Sequence, residues 1–358
     1  MIRGRGDWRA ALTCVAAAAI WLALEAVAAA QAAMPERNPL LVPPGSDSNP
    51  VNVAVGLHII NIAAIDEVAE NFTIDAYLVA RWKDARLAYT PTEPGDNRRQ
   101  FVAGQIWLPK VEMVNAAAPR EKYDIAIIVS PDGTVNYAER CKATLSSKFL
   151  LRRFPFDRQV LSIIIHPFVS NWHNITFSLN DHKTWVSREL NSYSSLAQWQ
   201  LLQVSPVLGS APLYDGSQIA ELRFQILVRR HSTFYMWKVF LPLTLMVVLS
   251  WAAFFVEERD LTNQVTIAVT TLLTVIAFAF AISSTMPRVP YLTYIDAFFL
   301  QCYVFVFLAM AELMTVHVTH RSDRRRDLGI RIRHASRWLV PTAFALCNLT
   351  IGVHFLGG

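Results

Sequence analysis

Cysteine is scarce in this chain, and the few present cannot cross-link an exported domain. The four are Cys14, Cys141, Cys302 and Cys347. Cys14 lies in an N-terminal apolar run, and Cys302 and Cys347 lie in long apolar stretches, so Cys141 stands alone in the segment between. A disulfide-stapled scaffold is excluded; a domain of about 200 residues there must be held by core burial. No Cys/His spacing suits zinc, so neither a metal nor a cofactor is expected. The sequence also lacks a nucleophile elbow, a metal box and a phosphate loop, which leaves an enzyme reading without support. Internal repeats and paired mid-span charges, the marks of many secondary transporters, are missing too. Glu312 is the one carboxylate deep in an apolar run.

Apolar residues are abundant. They make up 53% of the chain, mean hydropathy is +0.29, and the excess sits mostly in the C-terminal third. Arg3, Arg5 and Arg9 precede an apolar run from Ala10 to Ala30 with small residues after it, which predicts a signal peptide over 1–33. Alternation begins beyond a Pro- and Ser-bearing linker at Leu40 to Pro50. Val51, Val53, Val55, Leu57 and Ile59 share one strand face, and Phe72, Ile74, Ala76, Leu78, Ala80 and Trp82 share another. Further extended segments are predicted at 101–108, 123–129, 134–143, 157–168, 175–179, 197–204 and 219–230. Many short strands at this spacing predict an immunoglobulin-like β-sandwich over 34–232.

Four apolar runs follow, near 234–256, 261–283, 292–317 and 336–356, each close to the ~20 residues a bilayer requires. Arg321, Arg324, Arg325, Arg326, Arg331, Arg333 and Arg337 crowd the segment between the last two. That reads as a short cytoplasmic loop, 318–335, rather than a nucleic-acid patch, because Lys and Arg are retained inside. The expected architecture is therefore β plus α, an exported sandwich followed by a four-helix transmembrane bundle over 233–358, surrounded by lipid.

The second apolar run carries hydroxyls on one helical face. With 100° per residue, Thr262, Thr266, Thr270, Leu273, Ala277, Phe280 and Ser284 fall within about 40° of one line. Small hydroxyls suit a partly hydrated ion, and a girdle of Leu or Phe can close a pore by dewetting. The same face could instead pack on neighbouring helices. As a pore wall it demands several copies of the chain, since one helix encloses nothing.

Five motifs in order carry a resemblance. Arg152-Arg153-Phe154-Pro155-Phe156-Asp157-Arg158-Gln159 resembles the hallmark turn of pentameric ligand-gated ion channels, the Cys-loop receptor superfamily. Trp107-Leu108-Pro109, Ala197-Gln198-Trp199-Gln200-Leu201, Arg230 twelve residues before Pro242, and Pro287-Arg288-Val289-Pro290-Tyr291 are similar to further family landmarks. The superfamily's disulfide cysteines would fall at Ser147 and Leu161, so that loop is absent here, as in prokaryotic members. Leu273-Thr274-Val275-Ile276-Ala277-Phe278-Ala279-Phe280 is most similar to the bacterial amine-gated branch.

The resemblance implies a homo-oligomer, a pentamer, in the bacterial inner membrane, with its N-terminal domain periplasmic. It implies a small-molecule agonist bound between subunits, a primary amine among the candidates, and inorganic ions passing along the second span. By position it makes Tyr77, His166, Phe168 and Tyr214 ligand-binding residues, and Asp66, Asp157, Arg230 and Pro290 the coupling between sandwich and membrane domain. Two positions depart from the amine-gated pattern: Val114 replaces an aromatic and His166 replaces a carboxylate. The Pro-Ala-Arg signature of anion channels is absent before Thr266, and the acidic ring of many cation channels is missing at the stripe's foot, where Glu257, Glu258 and Asp260 are the nearest carboxylates; the expectation is a preference for cations. Gating by protons or divalent cations, and a non-conducting membrane-anchored receptor, stay open as alternatives.

Overall fold

Alternating apolar and polar residues bury one face only when their strands pair, and a computed structural model of the chain shows that pairing. It describes residues 21, 25, 38–46, 48–93, 95, 97–168, 174–179, 198–213, 215–255, 261–284, 288–320 and 326–357. Most of the expected signal peptide, Tyr214, and the acidic residues Glu257, Glu258 and Asp260 lie outside the described residues. β1 (Val51–Asp66) pairs antiparallel with β2 (Asn71–Lys83), and every apolar residue assigned above to their inward faces is buried. Two irregularities, between Ile59 and Asn61 and between Ile62 and Ala64, shift the alternation in β1. Ile62 consequently joins the core, where strict period two would have placed Asn61.

The remaining strands are β3 (Arg99–Phe101), β4 (Val111–Met113), β5 (Glu121–Val129), β6 (Thr134–Ser146), β7 (Arg158–Pro167), β8 (Ile175–Leu179), β9 (Trp199–Pro212) and β10 (Gln218–Arg230). They form a six-stranded sheet, β3-β5-β6-β2-β1-β8, and a four-stranded sheet, β4-β7-β10-β9. The inner faces share one core in which Ile74, Leu78 and Leu145 of the first sheet join Leu161, Ile163 and Ile226 of the second. Each such side chain contributes roughly 1.5–3 kcal/mol when fully buried, which is how the sandwich stands without a disulfide.

Two expected strands differ. Residues 102–105 turn rather than extend, with Gly104 at φ +95° and the Val102 amide donating to the Gln105 side chain. Segment 197–204 is the start of a longer strand that continues through Pro206 to Pro212. β9 is the outer strand of its sheet, so a residue without an N–H costs no internal ladder bond there. Among the charges buried in the sandwich is Glu139 on β6, held by Arg120 at 3.0 Å, by Lys122 at 3.3 Å and by the Tyr137 hydroxyl. Burial, helped by Glu139, pushes the neighbouring Cys141 thiol up to about 11, which keeps it inert.

Four helices follow, α1 (Thr233–Trp251), α2 (Leu261–Ser283), α3 (Tyr294–His320) and α4 (Arg326–Leu356), each long and apolar enough to cross a membrane. The segment expected as the 318–335 loop is largely helical, because α3 runs to His320 and α4 begins at Arg326. No proline or glycine pair interrupts those Arg-rich turns, and they extend the helix beyond its apolar part. Arg337 reaches back to donate to the Phe254 carbonyl at 3.2 Å, tying α4 to the end of α1. Gln264, Ala268, Thr271 and Val275 form the buried stripe of α2 at helical spacing.

The turn between β5 and β6 gives a stability test. Gly133 has φ +79°, and a Cβ there would meet the Asp84 carbonyl oxygen at 2.5 Å. Gly133→Ala is expected to destabilise the sandwich by more than about 1 kcal/mol. A thermal melt of the purified assembly checks this, with no change in midpoint as the contrary result.

Candidate functional site

The junction between sandwich and helices is built around Arg230, the last residue of β10. Its guanidinium is 4% exposed, and an unpaired cation at that depth would be prohibitively costly. Nε donates to Asp157 Oδ1 at 2.8 Å, and one terminal nitrogen donates to Glu67 Oε1 at 2.7 Å. Trp199 and Phe154 cover its faces, with ring centroids 4.1 and 4.7 Å from the guanidinium carbon. Burial alone would lower the Arg230 pKa, but the bonds to Asp157 and Glu67 raise it above the ordinary arginine value, so the cation is permanent. Asp157 also accepts from Gln159, whose side chain closes on Leu150 through two further bonds of 3.0 Å.

Asp66, expected against Arg230, is placed otherwise. Its carboxylate accepts from the Val68 and Ala69 amides at 3.0 and 2.8 Å, so it shapes the β1–β2 turn, and Glu67 is the residue that reaches the arginine. Glu67 lies just past β1 in the turn to β2, where strand alternation does not say which carboxylate reaches across to β10. Gln159, two residues from Asp157 in an extended segment, was readable as its neighbour.

The 151–157 turn touches the membrane helices directly. The Leu151 amide donates to the Tyr291 hydroxyl at 3.0 Å, one residue beyond Pro290, which is itself exposed. Phe156 lies 5.4 Å from the Tyr294 ring on α3 and 6.2 Å from Phe240 on α1, and Tyr294 in turn packs on Phe355 of α4. One aromatic cluster thus joins the turn before β7 to three helices.

The ligand residues divide between the two sheets. Tyr77 lies on the outward face of β2, between His58 and Arg140 in register, and is 39% exposed. Arg140 is held by Asp75 at 2.8 Å. Phe168, just past β7, is 43% exposed. His166, two residues earlier, faces outward from the other sheet. The outward faces of a sandwich point apart, so the structure does not bring Tyr77 and Phe168 of one chain together. A pocket containing both must take them from two copies. His166 is not alone: Nε2 lies 2.9 Å from Glu221 Oε2 on β10, and the other Glu221 oxygen accepts from Arg223 at 2.8 Å. Burial raises the Glu221 pKa, but the bonds from His166 and Arg223 outweigh it and leave it below the usual carboxylate value.

On α2, Thr262, Thr266, Thr270, Leu273, Ala277, Phe280 and Ser284 are all exposed, opposite the buried stripe. Leu273 is 61% and Phe280 77% exposed, large apolar side chains left uncovered by their own chain. The Thr266 hydroxyl donates to the Thr262 carbonyl at 2.8 Å, which leaves its oxygen lone pairs directed outward as acceptors.

A two-sheet sandwich joined directly to four helices apolar and long enough to span a membrane, one with an exposed hydroxyl face, defines the architecture of a membrane receptor. Comparison agrees. The neurotransmitter-gated ion-channel ligand binding domain matches residues 33–232, and the neurotransmitter-gated ion-channel transmembrane region matches 239–346. The chain is 30% identical to a proton-gated ion channel of Gloeobacter violaceus, over 88% of this chain and 86% of that one. It is 29% identical to gamma-aminobutyric acid receptor subunit beta-4 of Gallus gallus over 76% of this chain, and 28% identical to human subunit rho-3 over 82%. The matches span 56% and 63% of those receptor subunits. The chain belongs to the neurotransmitter-gated ion-channel family: it is a pentameric-type ligand-gated channel of prokaryotic kind, membrane-embedded, and not an enzyme.

Removing the clamp tests the junction. Arg230→Ala leaves Asp157, 1% exposed, without its cation and is expected to cost about 3–5 kcal/mol. Asp66→Ala removes only a turn cap and should cost about 1 kcal/mol. Denaturation of both variants checks the order; equal losses would show that Arg230 and Asp66 matter alike.

Proposed function

We propose that this channel is opened by a small cationic agonist bound between subunits, that Phe168 and His166 of one subunit face Tyr77 of the next, and that the pore is lined by α2 and prefers cations. The observation that carries the reading is the division of aromatics: Tyr77 and Phe168 project from opposite outward faces, so only adjacent copies in a ring can join them. Aromatic faces attract an ammonium by up to about 2 kcal/mol when desolvated. Tyr214, on the hairpin between β9 and β10, is assigned to the same pocket by its place in the family pattern.

The pore assignment rests on α2, whose exposed line runs from threonines through Leu273 and Phe280 to Ser284 and carries no charge from Leu261 to Ser284. Just before it, residues 257–260 contribute three carboxylates and one arginine, which favours cations at that mouth. Asp157, Glu67, Arg230 and the linker at Pro290 and Tyr291 transmit the opening. Activation by protons is the second reading, favoured by the similarity to a proton-gated channel and by an imidazole paired with a carboxylate in the candidate pocket.

Leu273 tests the pore. Five copies form an apolar girdle that sheds water and holds the closed state. Leu273→Ser is expected to give spontaneous currents and to shift the agonist curve left by about tenfold, the factor that 1.4 kcal/mol represents. Val275, buried on the opposite side of the helix, serves as control, and Val275→Thr should alter gating far less. Planar-bilayer recordings decide; a Leu273→Ser channel with an unmoved curve removes α2 from the pore wall.

A further inference from the structure

We propose that His166 and Glu221 form a proton-responsive pair inside the ligand site, and that protonation of His166 weakens the site's hold on a cationic agonist. The inference rests on the reading that Phe168 marks that site.

Three strands present one row of polar side chains on the outward face of the smaller sheet. Glu112 on β4 is the register partner of His166 on β7. Leu222 pairs with Ile165, which sets Glu221 of β10 directly across from His166 on its other side. An imidazole thus stands between two glutamates. Gly209 of β9 faces Glu221 next in the row, and nothing lies within 4 Å of where its Cβ would be, so the ground beside that carboxylate is open.

The charges around the ring are few. From β4 comes Glu112 and, just before it on the Phe168 row, the exposed Lys110; from β10 come Glu221 and Arg223; β9 offers Gly209; the nearer outward residues of β7, Ser162 and Ile164, are uncharged, and its outward Arg158 lies at the far end of the strand. Within the row and its Arg223 neighbour, two carboxylates face one guanidinium. With His166 neutral the group carries a net negative charge; with His166 protonated it carries none.

The hydrogen bond also selects a tautomer. An ionised carboxylate only accepts, so Nε2 carries the proton shared with Glu221 and Nδ1 of the neutral ring is an acceptor. Protonation turns Nδ1 into a donor. A site that offered an ammonium ligand both a lone pair and net negative charge then offers neither. Histidine is the side chain whose charge changes in the range that makes this a regulator. A His–Glu bond that merely joined β7 to β10 would leave ligand potency independent of that charge.

The test uses the full-length channel in planar bilayers with n-butylammonium as probe, an ion that stays protonated because aliphatic ammonium groups titrate near about 10.4. Between about pH 8 and about pH 5.5 the wild-type potency is expected to fall by about tenfold. His166→Gln, checked for intact assembly by size exclusion, should reduce that change to under about threefold. Glu221→Gln should lower potency at the higher pH and flatten the dependence as well. Phe168→Ala should weaken the response at both pH values while leaving their ratio alone. If His166→Gln keeps the wild-type ratio, or if acid strengthens the response, the pair is not the sensor. If Phe168→Ala leaves potency unmoved, the location of the ligand site is what fails.

Discussion

The chain crosses from sandwich to membrane helices beside one buried guanidinium. Arg230 ends the last strand, and the first membrane helix begins within a few residues of it. Its carboxylate partners come from elsewhere in the sandwich, Asp157 from the turn before β7 and Glu67 from the β1–β2 turn. A buried cation held by two carboxylates and two aromatic faces has little freedom to slide, since each lost bond would strand a charge away from water. The three segments therefore move together or not at all. That constraint ties the β1–β2 turn and the turn before β7 to the strand that leads into the first membrane helix.

The same turn that supplies Asp157 supplies Phe156, and the aromatic cluster it joins reaches α1, α3 and α4. Tyr291, three residues before α3, also meets this turn by accepting from the Leu151 amide. The outer helices are held by apolar packing that resists small shifts. The exposed face of α2 presents hydroxyls at one end and Leu273 and Phe280 toward the other.

The candidate ligand site has a different character. Its residues lie on outward sheet faces, where side chains are held by cross-strand bonds more than by burial. His166 and Glu221 fix each other, Arg140 is fixed by Asp75, and the aromatics beside them remain exposed on the single chain. Polar side chains already oriented before a second subunit arrives reduce the ordering that ligand binding would otherwise require.

Periodicity alone determined the sandwich, its inward faces and the four spans, because burial on one side imposes period two on strands and apolar length imposes spans. The α2 stripe was legible for the same reason: rotation per residue is a property of any helix. Motifs in order brought out Asp157 and Arg230. Whether Asp66 or Glu67 meets Arg230, that residues 102–105 turn rather than extend, and that Glu221 stands against His166 depended on contacts between segments far apart in sequence. The turn after β1 aimed Glu67 rather than Asp66 at β10, a glycine at positive φ broke a strand, and register between β7 and β10 set which side chains meet across the sheet. Side-chain alternation reports which face a residue takes; only pairing of the folded strands decides which residue stands opposite it.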